Sequence, residues 1–347
     1  MISFRNDYGF GAHHSVLAHL AAINPYAHAG YGTDSRCAAA AETIRAMFHA
    51  PEADVHFIPG GTLANLTVIA AMLRPHQGAI SADTGHINVH ETGAVEATGH
   101  KVLAVPHACG KVAPADVARL VDAHRADEAM EHTVQPGMVY ISNTTEMGTV
   151  YTGNELSALS AVCRQYSLPL FLDGARLGYA LAAEDAPAPE AIAAACDVFT
   201  VGGTKQGALF GEAVVITNPA LQRDFRYALK QRGGMLAKGW LMGAQFEALL
   251  KDDLYLSLSH HANALAIHLR DALTEMGIPF ASPSPSNQQF PVLPHGVIDK
   301  LLNTYDFGII ERLDDARSTV RFCTSWATRA EDVEALIGDI RALMHGR

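Results

Sequence analysis

Two short runs carry residues whose types and settings could do chemistry. Val198-Phe199-Thr200-Val201-Gly202-Gly203-Thr204-Lys205 is apolar and β-branched, ends in a glycine turn and delivers one lysine with no charged neighbour. Thirty-two residues earlier, Leu170-Phe171-Leu172-Asp173-Gly174-Ala175-Arg176 delivers an aspartate in the same way. A lysine at an apolar strand end is desolvated, which lowers its pKa and frees the amine as a nucleophile. Each residue alone has a plain reading, a turn lysine or a helix-capping aspartate. In this order and topology they suit pyridoxal phosphate, with Lys205 forming the Schiff base and Asp173 holding the proton on the pyridine nitrogen. Arg176 is open to a bridge to the cofactor's phenolic oxygen, a substrate carboxylate, or a salt bridge to a neighbouring helix.

Further groups fit around that pair. Pro59-Gly60-Gly61-Thr62-Leu63-Ala64-Asn65 lies between a strand pattern and a helix pattern. Its glycines, first-turn N–H groups and Thr62 hydroxyl can hold a phosphate, although a helix-capping turn looks the same and the Walker ending is absent. Gly85-His86-Ile87-Asn88-Val89-His90-Glu91 places two histidines four apart. A metal reading lacks the HExxH order and a third ligand. The favoured reading stacks one imidazole on the pyridine ring, and no metal is expected.

These groups need strand ends to carry them. From about residue 36 to 216, helix and strand patterns alternate. Strands are expected at 55–58, 78–80, 101–105, 138–141, 168–172, 198–201 and 213–216, with helices at 38–49, 62–73, 114–125, 154–166 and 187–196. Such alternation predicts an α/β fold, a mostly parallel sheet sandwiched by helices. Functional groups then collect beyond the strand carboxyl ends. After Gly243 the pattern changes to one long helical stretch at 246–276, short strands at 289–293, 307–311 and 319–323, and a closing helix at 330–344. The expected division is a large cofactor-binding α/β domain over residues 1–247, with the N-terminal segment, and a smaller α+β domain over 248–347.

Bulk properties narrow the class. The 347-residue chain is 49% hydrophobic and 18% charged, which suits a globular enzyme. A formal net charge of −11 argues against nucleic acid or an anionic membrane as partner. Five scattered cysteines without CxxC spacing read as reduced thiols. The N-terminus shows no secretory pattern and no apolar stretch reaches membrane length, so a soluble cytoplasmic protein is expected.

Taken together, the motifs resemble the threonine aldolases of the aromatic amino acid β-eliminating lyase/threonine aldolase superfamily, pyridoxal phosphate enzymes of aminotransferase fold type I. The resemblance rests on Arg5-Asn6-Asp7, Gly30-Tyr31-Gly32-Thr33-Asp34, Pro59–Asn65, Gly85-His86, Leu172–Arg176, Thr204-Lys205 and Val320-Arg321-Phe322-Cys323-Thr324, in that order over nearly the whole chain. It implies that Lys205 carries the cofactor, Asp173 pairs with the pyridine nitrogen, His86 stacks on the ring, and Gly61 and Thr62 hold the phosphate. Arg321, with Asn6 and Arg176, would serve the substrate, Arg321 taking its carboxylate in a bidentate contact. His132, eleven residues before Asn143, would lie near the substrate hydroxyl. Tyr31 belongs to the segment that approaches the active site from a neighbouring subunit, in a homodimer or homotetramer with shared sites.

The implied reaction is retro-aldol cleavage of a β-hydroxy-α-amino acid to glycine and an aldehyde. The base would be His132, or a water held by His86 and His132. β-Elimination on the same scaffold, a non-catalytic cofactor or phosphate binder, and a metal hydrolase on His86, His90 and Glu91 are the alternatives. Two positions depart from the family. Leu236 follows Gly233-Gly234-Met235 where some members carry an arginine that reaches a partner's phosphate. That interaction is either missing from this chain or supplied by Lys238 or Arg232. Asn143-Thr144-Thr145-Glu146 replaces an asparagine-threonine-histidine run.

Overall fold

The chain opens with a two-residue strand, β1 (Ile2–Ser3), which does not join the main sheet. That sheet is built from β2 (Asp54–Ile58), β3 (Gln77–Ala82), β4 (Val102–Val105), β5 (Gln135–Ser142), β6 (Leu170–Asp173), β7 (Val198–Gly202) and β8 (Glu212–Ile216). In this computed structural model, which describes residues 1–345, their order is β2-β8-β7-β6-β5-β3-β4. β8 runs antiparallel to both its neighbours, and every other pair is parallel. The expected mostly parallel sheet between helical layers is what forms.

The continuous apolar runs of the sequence follow from burial on both faces. Along β6 and β7, Leu172 and Phe199 belong to one core cluster, while Phe171 and Val198 belong to the cluster on the opposite face. Helices Ser35–Met47 and Pro114–Ala126 pack on the first face, and Gly61–Met72 on the second.

The long helical pattern at 246–276 divides in two, Trp240–Leu250 and Leu254–Glu275. Asp252 and Asp253 adopt left-handed φ values of 53° and 58°, which no helix continues through. The second helix belongs to both halves of the molecule. Its Tyr255 and Leu258 pack into the large-sheet core, while Leu269 and Leu273 enter a separate C-terminal core.

That C-terminal core lies behind β9 (Gln288–Gln289), β10 (Val292–Pro294), β11 (Tyr305–Asp306), β12 (Gly308–Arg312) and β13 (Arg317–Cys323). β10, β12 and β9 all pair antiparallel to β13. The N-terminal segment departs from the expected division: β1 pairs with β11, and Phe4 is fully buried among Tyr305, Phe307 and Phe322. Burying one such ring contributes about 1.5–3 kcal/mol, which ties the start of the chain to its end. Residues 346 and 347 of the expected small domain lie outside the described residues. Among the described residues, no helix is long and apolar enough to cross a membrane.

Candidate active site

Strands β6 and β7 bring the two chemical runs together at their carboxyl ends. The approach is so close that only glycine fits. A Cβ on Gly174 would collide with the Thr200 carbonyl oxygen, and one on Gly202 with that of Ala175. Gly174 N–H donates to Thr200 Oγ1 at 2.7 Å, and Gly202 N–H to Gly174 O at 2.9 Å. The turn after β7 is fixed by Tyr179, whose hydroxyl donates to the Lys205 carbonyl at 2.6 Å.

Asp173 is buried and receives donors on both oxygens. Tyr140 OH at 2.7 Å and Asn65 Nδ2 at 2.8 Å bond Oδ2, and the Ala175 N–H bonds Oδ1 at 2.9 Å. Burial alone would raise its pKa, but the electrostatic influence of the nearby His86 imidazole and these hydrogen bonds outweigh burial and hold it below the usual carboxylate range. Lys205 is shifted downward too, which for an amine favours the neutral form. Burial and the Arg176 guanidinium lower its pKa, opposed by Asp7, Asp173 and Glu212. The structure thus brings a desolvated amine and a carboxylate held in its ionised form into one cavity.

The helix Gly61–Met72 points its N-terminus into the same cavity, and its Gly60 N-cap provides no side-chain hydrogen bond. The first N–H groups are therefore free for an anion, with the helix dipole behind them. Lys205, Asp173, His86, Gly61, Thr62 and Arg176 all line this cavity of about 360 Å³. A larger one, about 540 Å³, opens between residues 108–114 and Pro283 and Pro285, but none of these groups lines it.

Arg176 has the partner its third reading required, though on a different element. Its Nε and Nη2 donate to the Asp7 carboxylate at 2.7 and 3.1 Å, and Asn287 Nδ2 donates to Asp7 at 3.0 Å. Burial pushes Asp7 upward, but Arg176 and Lys205 overcome it and bring the carboxyl down to about 2. The N-terminal segment is thereby clamped to the site.

Glu212 and Glu146 are cavity carboxylates to which the sequence assigned no role. Glu212 begins β8 opposite Gly202 and accepts from Thr204 Oγ1 at 2.8 Å, while its Oε2 is buried with no partner among the described residues. Burial raises its pKa to about 8, against the lowering pull of Thr204 and Lys205. Burial also raises Glu146, whose Oε1 accepts from Ser142 Oγ at 2.7 Å and from the His86 backbone N–H at 3.0 Å.

Not every expected residue reaches the cavity. His132 does not: it is exposed, just before the amino end of β5, whereas the site gathers at the carboxyl ends. The eight residues of β5 span about 25 Å at ~3.3 Å each, so His132 is withdrawn as the substrate-hydroxyl residue. Asn6 lies between Arg5 and the clamped Asp7, and its side-chain oxygen accepts from the Tyr8 N–H at 3.1 Å. Arg321 is not among the residues lining the cavity; it donates to Gln288 Oε1 at 3.3 Å and Arg5 O at 3.2 Å, and its buried Nε has no acceptor among the described residues. Tyr31 is exposed outside the cavity with Lys230 Nζ 4.4 Å from its ring centre. Among the described residues, no group of three or more His, Cys, Asp or Glu side chains is placed to hold a metal.

A mostly parallel seven-stranded sheet with its functional cavity at the carboxyl ends, joined to a smaller antiparallel sheet, is the aminotransferase-like fold. Aspartate aminotransferase of Thermus thermophilus shares that fold at a TM-score of 0.69 and 14% identity, over 98% of this chain and 91% of its own. Within the fold, residues 14–294 match the model of the beta-eliminating lyase family, and the chain belongs to that family. A low specificity L-threonine aldolase of Pseudomonas aeruginosa is 33% identical, covering 98% of this chain and 97% of its own length. The structure of Leishmania major threonine aldolase is 46% identical with a TM-score of 0.96, over 99% of this chain and all of that one.

Proposed function

We propose that the protein is a pyridoxal phosphate-dependent aldehyde-lyase that cleaves β-hydroxy-α-amino acids of the threonine type to glycine and an aldehyde. The observation that carries the reading is the convergence of desolvated Lys205, ionised Asp173 and the uncapped helix N-terminus in one cavity. This donor set fits the cofactor. Lys205 would bind its aldehyde, Asp173 its pyridine nitrogen, Gly61 and Thr62 its phosphate, and His86 its ring face. When bound, the group supplies an electron-accepting ring to the substrate's α-carbon.

The remaining work falls to side chains. Arg176, with Nε and Nη2 taken by Asp7, keeps Nη1 for the phenolic oxygen or the substrate carboxylate. Arg321, held outside the cavity lining by Gln288 and the Arg5 carbonyl, would exchange those acceptors for the substrate carboxylate and so orient the bond to be broken, an alignment worth up to about 7–11 kcal/mol. With His132 remote, His86 is the base for the β-hydroxyl proton. Proton transfer of this kind contributes about 10²–10⁴-fold.

A homo-oligomer with shared sites accounts for Tyr31 and Lys238. Both are exposed, and the Tyr31 N–H donates to Ala237 O at 3.3 Å, so the two project from one surface. Lys238 is on this basis preferred to Arg232, which donates to Gln231, as the replacement phosphate contact. Free cysteines at all five positions support a cytoplasmic setting.

Incubating the cofactor-loaded protein with L-threonine, L-allo-threonine and phenylserine tests the reading. Glycine and the matching aldehyde are expected. A 2-oxo acid with ammonia would replace aldol cleavage by β-elimination, and no product from any substrate would overturn the lyase assignment. Arg321→Lys should raise KM about 10–100-fold with cofactor loading intact. A charge-assisted bond contributes about 1.5–3 kcal/mol, and a lysine lacks the planar fork. Steady-state kinetics with unchanged KM would remove Arg321 from the carboxylate site.

A further inference from the structure

Behind His86 lies a carboxylate with no part in holding the cofactor. The His86 Nδ1 is 2.7 Å from Glu91 Oε1, and the Glu91 side chain is wholly buried. The same Oε1 receives Asn65 Nδ2 at 2.8 Å, and that amide nitrogen also reaches Asp173 Oδ2 at 2.8 Å. Asn65 cannot be turned over, because its carbonyl oxygen would then face two carboxylates. The amide therefore donates to both, and Glu91 Oε1 is an acceptor.

We infer that Glu91 is a positioning residue that keeps the His86 proton on Nδ1 and leaves Nε2 as the acceptor for the substrate's β-hydroxyl proton. Glu91 Oε1 already accepts from the Asn65 amide, so in its 2.7 Å contact with Nδ1 the ring is the donor. A neutral imidazole so held has its lone pair on Nε2, and His86 lines the cavity. When the ring takes the substrate proton it becomes a cation, and Glu91 stands against it as counter-charge. A buried carboxylate serves an imidazole base in this way wherever one orients the other. Through Asn65, the Asp173 and Glu91 carboxylates share a single donor.

The inference rests on the aldolase reading for its substrate but not for its geometry. Holoenzyme labelled with ¹⁵N-histidine tests the geometry directly, with His86 assigned by its absence in His86→Gln. The wild type should show a protonated Nδ1 and an unprotonated Nε2 when the ring is neutral. Glu91→Met removes the acceptor and should give mixed tautomers, with kcat lowered about 10²–10⁴-fold and KM little changed. Glu91→Gln keeps an acceptor oxygen without the charge, so it should retain the tautomer and recover part of the turnover. A wild-type proton on Nε2, or full turnover in both variants, would overturn the role of Glu91. Absence of glycine from the wild type, with the Nδ1 proton in place, would instead count against the aldolase reading alone. Should Glu91→Met fail to fold, the wild-type spectrum and Glu91→Gln still decide the matter.

Discussion

Lys205→Ala should abolish the borohydride-fixable bond between protein and cofactor and lower kcat on the order of 10⁴–10⁶-fold, the scale seen when one member of a catalytic unit is removed. The size of the effect follows from the setting of the amine. Burial and Arg176 depress its pKa, so at neutral pH more of it is the uncharged nucleophile than for a lysine in water. Its backbone is held by Tyr179, and glycines at 174 and 202 allow its turn to lie against that of Asp173. Among the described residues no other lysine lines the cavity, so none stands ready to replace it. Mass mapping after reduction should find the cofactor on the peptide containing Lys205 in the wild type and on none in the variant. A variant that still cleaves substrate at the wild-type rate would sink the assignment.

How much of this site the sequence disclosed depends on how local its signals are. Lys205, Asp173 and the Gly61-Thr62 turn each end an apolar run, and an α/β pattern sends such ends to one edge. The contacts that tune them come from far along the chain. Asp7 meets Arg176 across 169 residues, and Asn65 meets Asp173 across 108. Glu212 reaches Lys205 because β8 runs antiparallel, which sets its first residue beside the end of β7. No periodicity announces such a reversal. Glu91 had a local signal, five residues after His86, but spacing alone offered it only a place in the metal-hydrolase alternative. His132 failed for a geometric reason: counting back from Asn143 crosses the whole of β5 and lands on the opposite edge. The long helix at 246–276 failed locally, since consecutive aspartates at 252 and 253 favour left-handed backbone and end it.

Asp173→Asn should cost both stability and turnover, and the two losses have separable causes. Asp173 accepts from Tyr140 and Asn65 on one oxygen and from Ala175 on the other. An amide can place its oxygen on only one side, so its NH₂ must face a donor on the other. A buried donor left unpaired costs about 1–3 kcal/mol, which thermal denaturation of the cofactor-free variant should register. The pH dependence has a definite sign. The folded pKa of Asp173 lies below its ordinary value of 3.8, so the ionised form contributes full stability above that pH. The contribution fades as pH falls through the lower folded value. The wild type should therefore lose more stability than the variant on acidification below about pH 4. In the loaded enzyme the variant lacks the charge that keeps the pyridine nitrogen protonated, and kcat should fall on the order of 10⁴-fold, as when an amide replaces a carboxylate that sets a ring's protonation. Asp173→Glu keeps the charge but displaces it from Tyr140 and Asn65, so it should lose stability while retaining more turnover than Asp173→Asn. If both variants lost stability equally and kept wild-type turnover, Asp173 would be a structural acceptor at the end of β6 with no part in the chemistry.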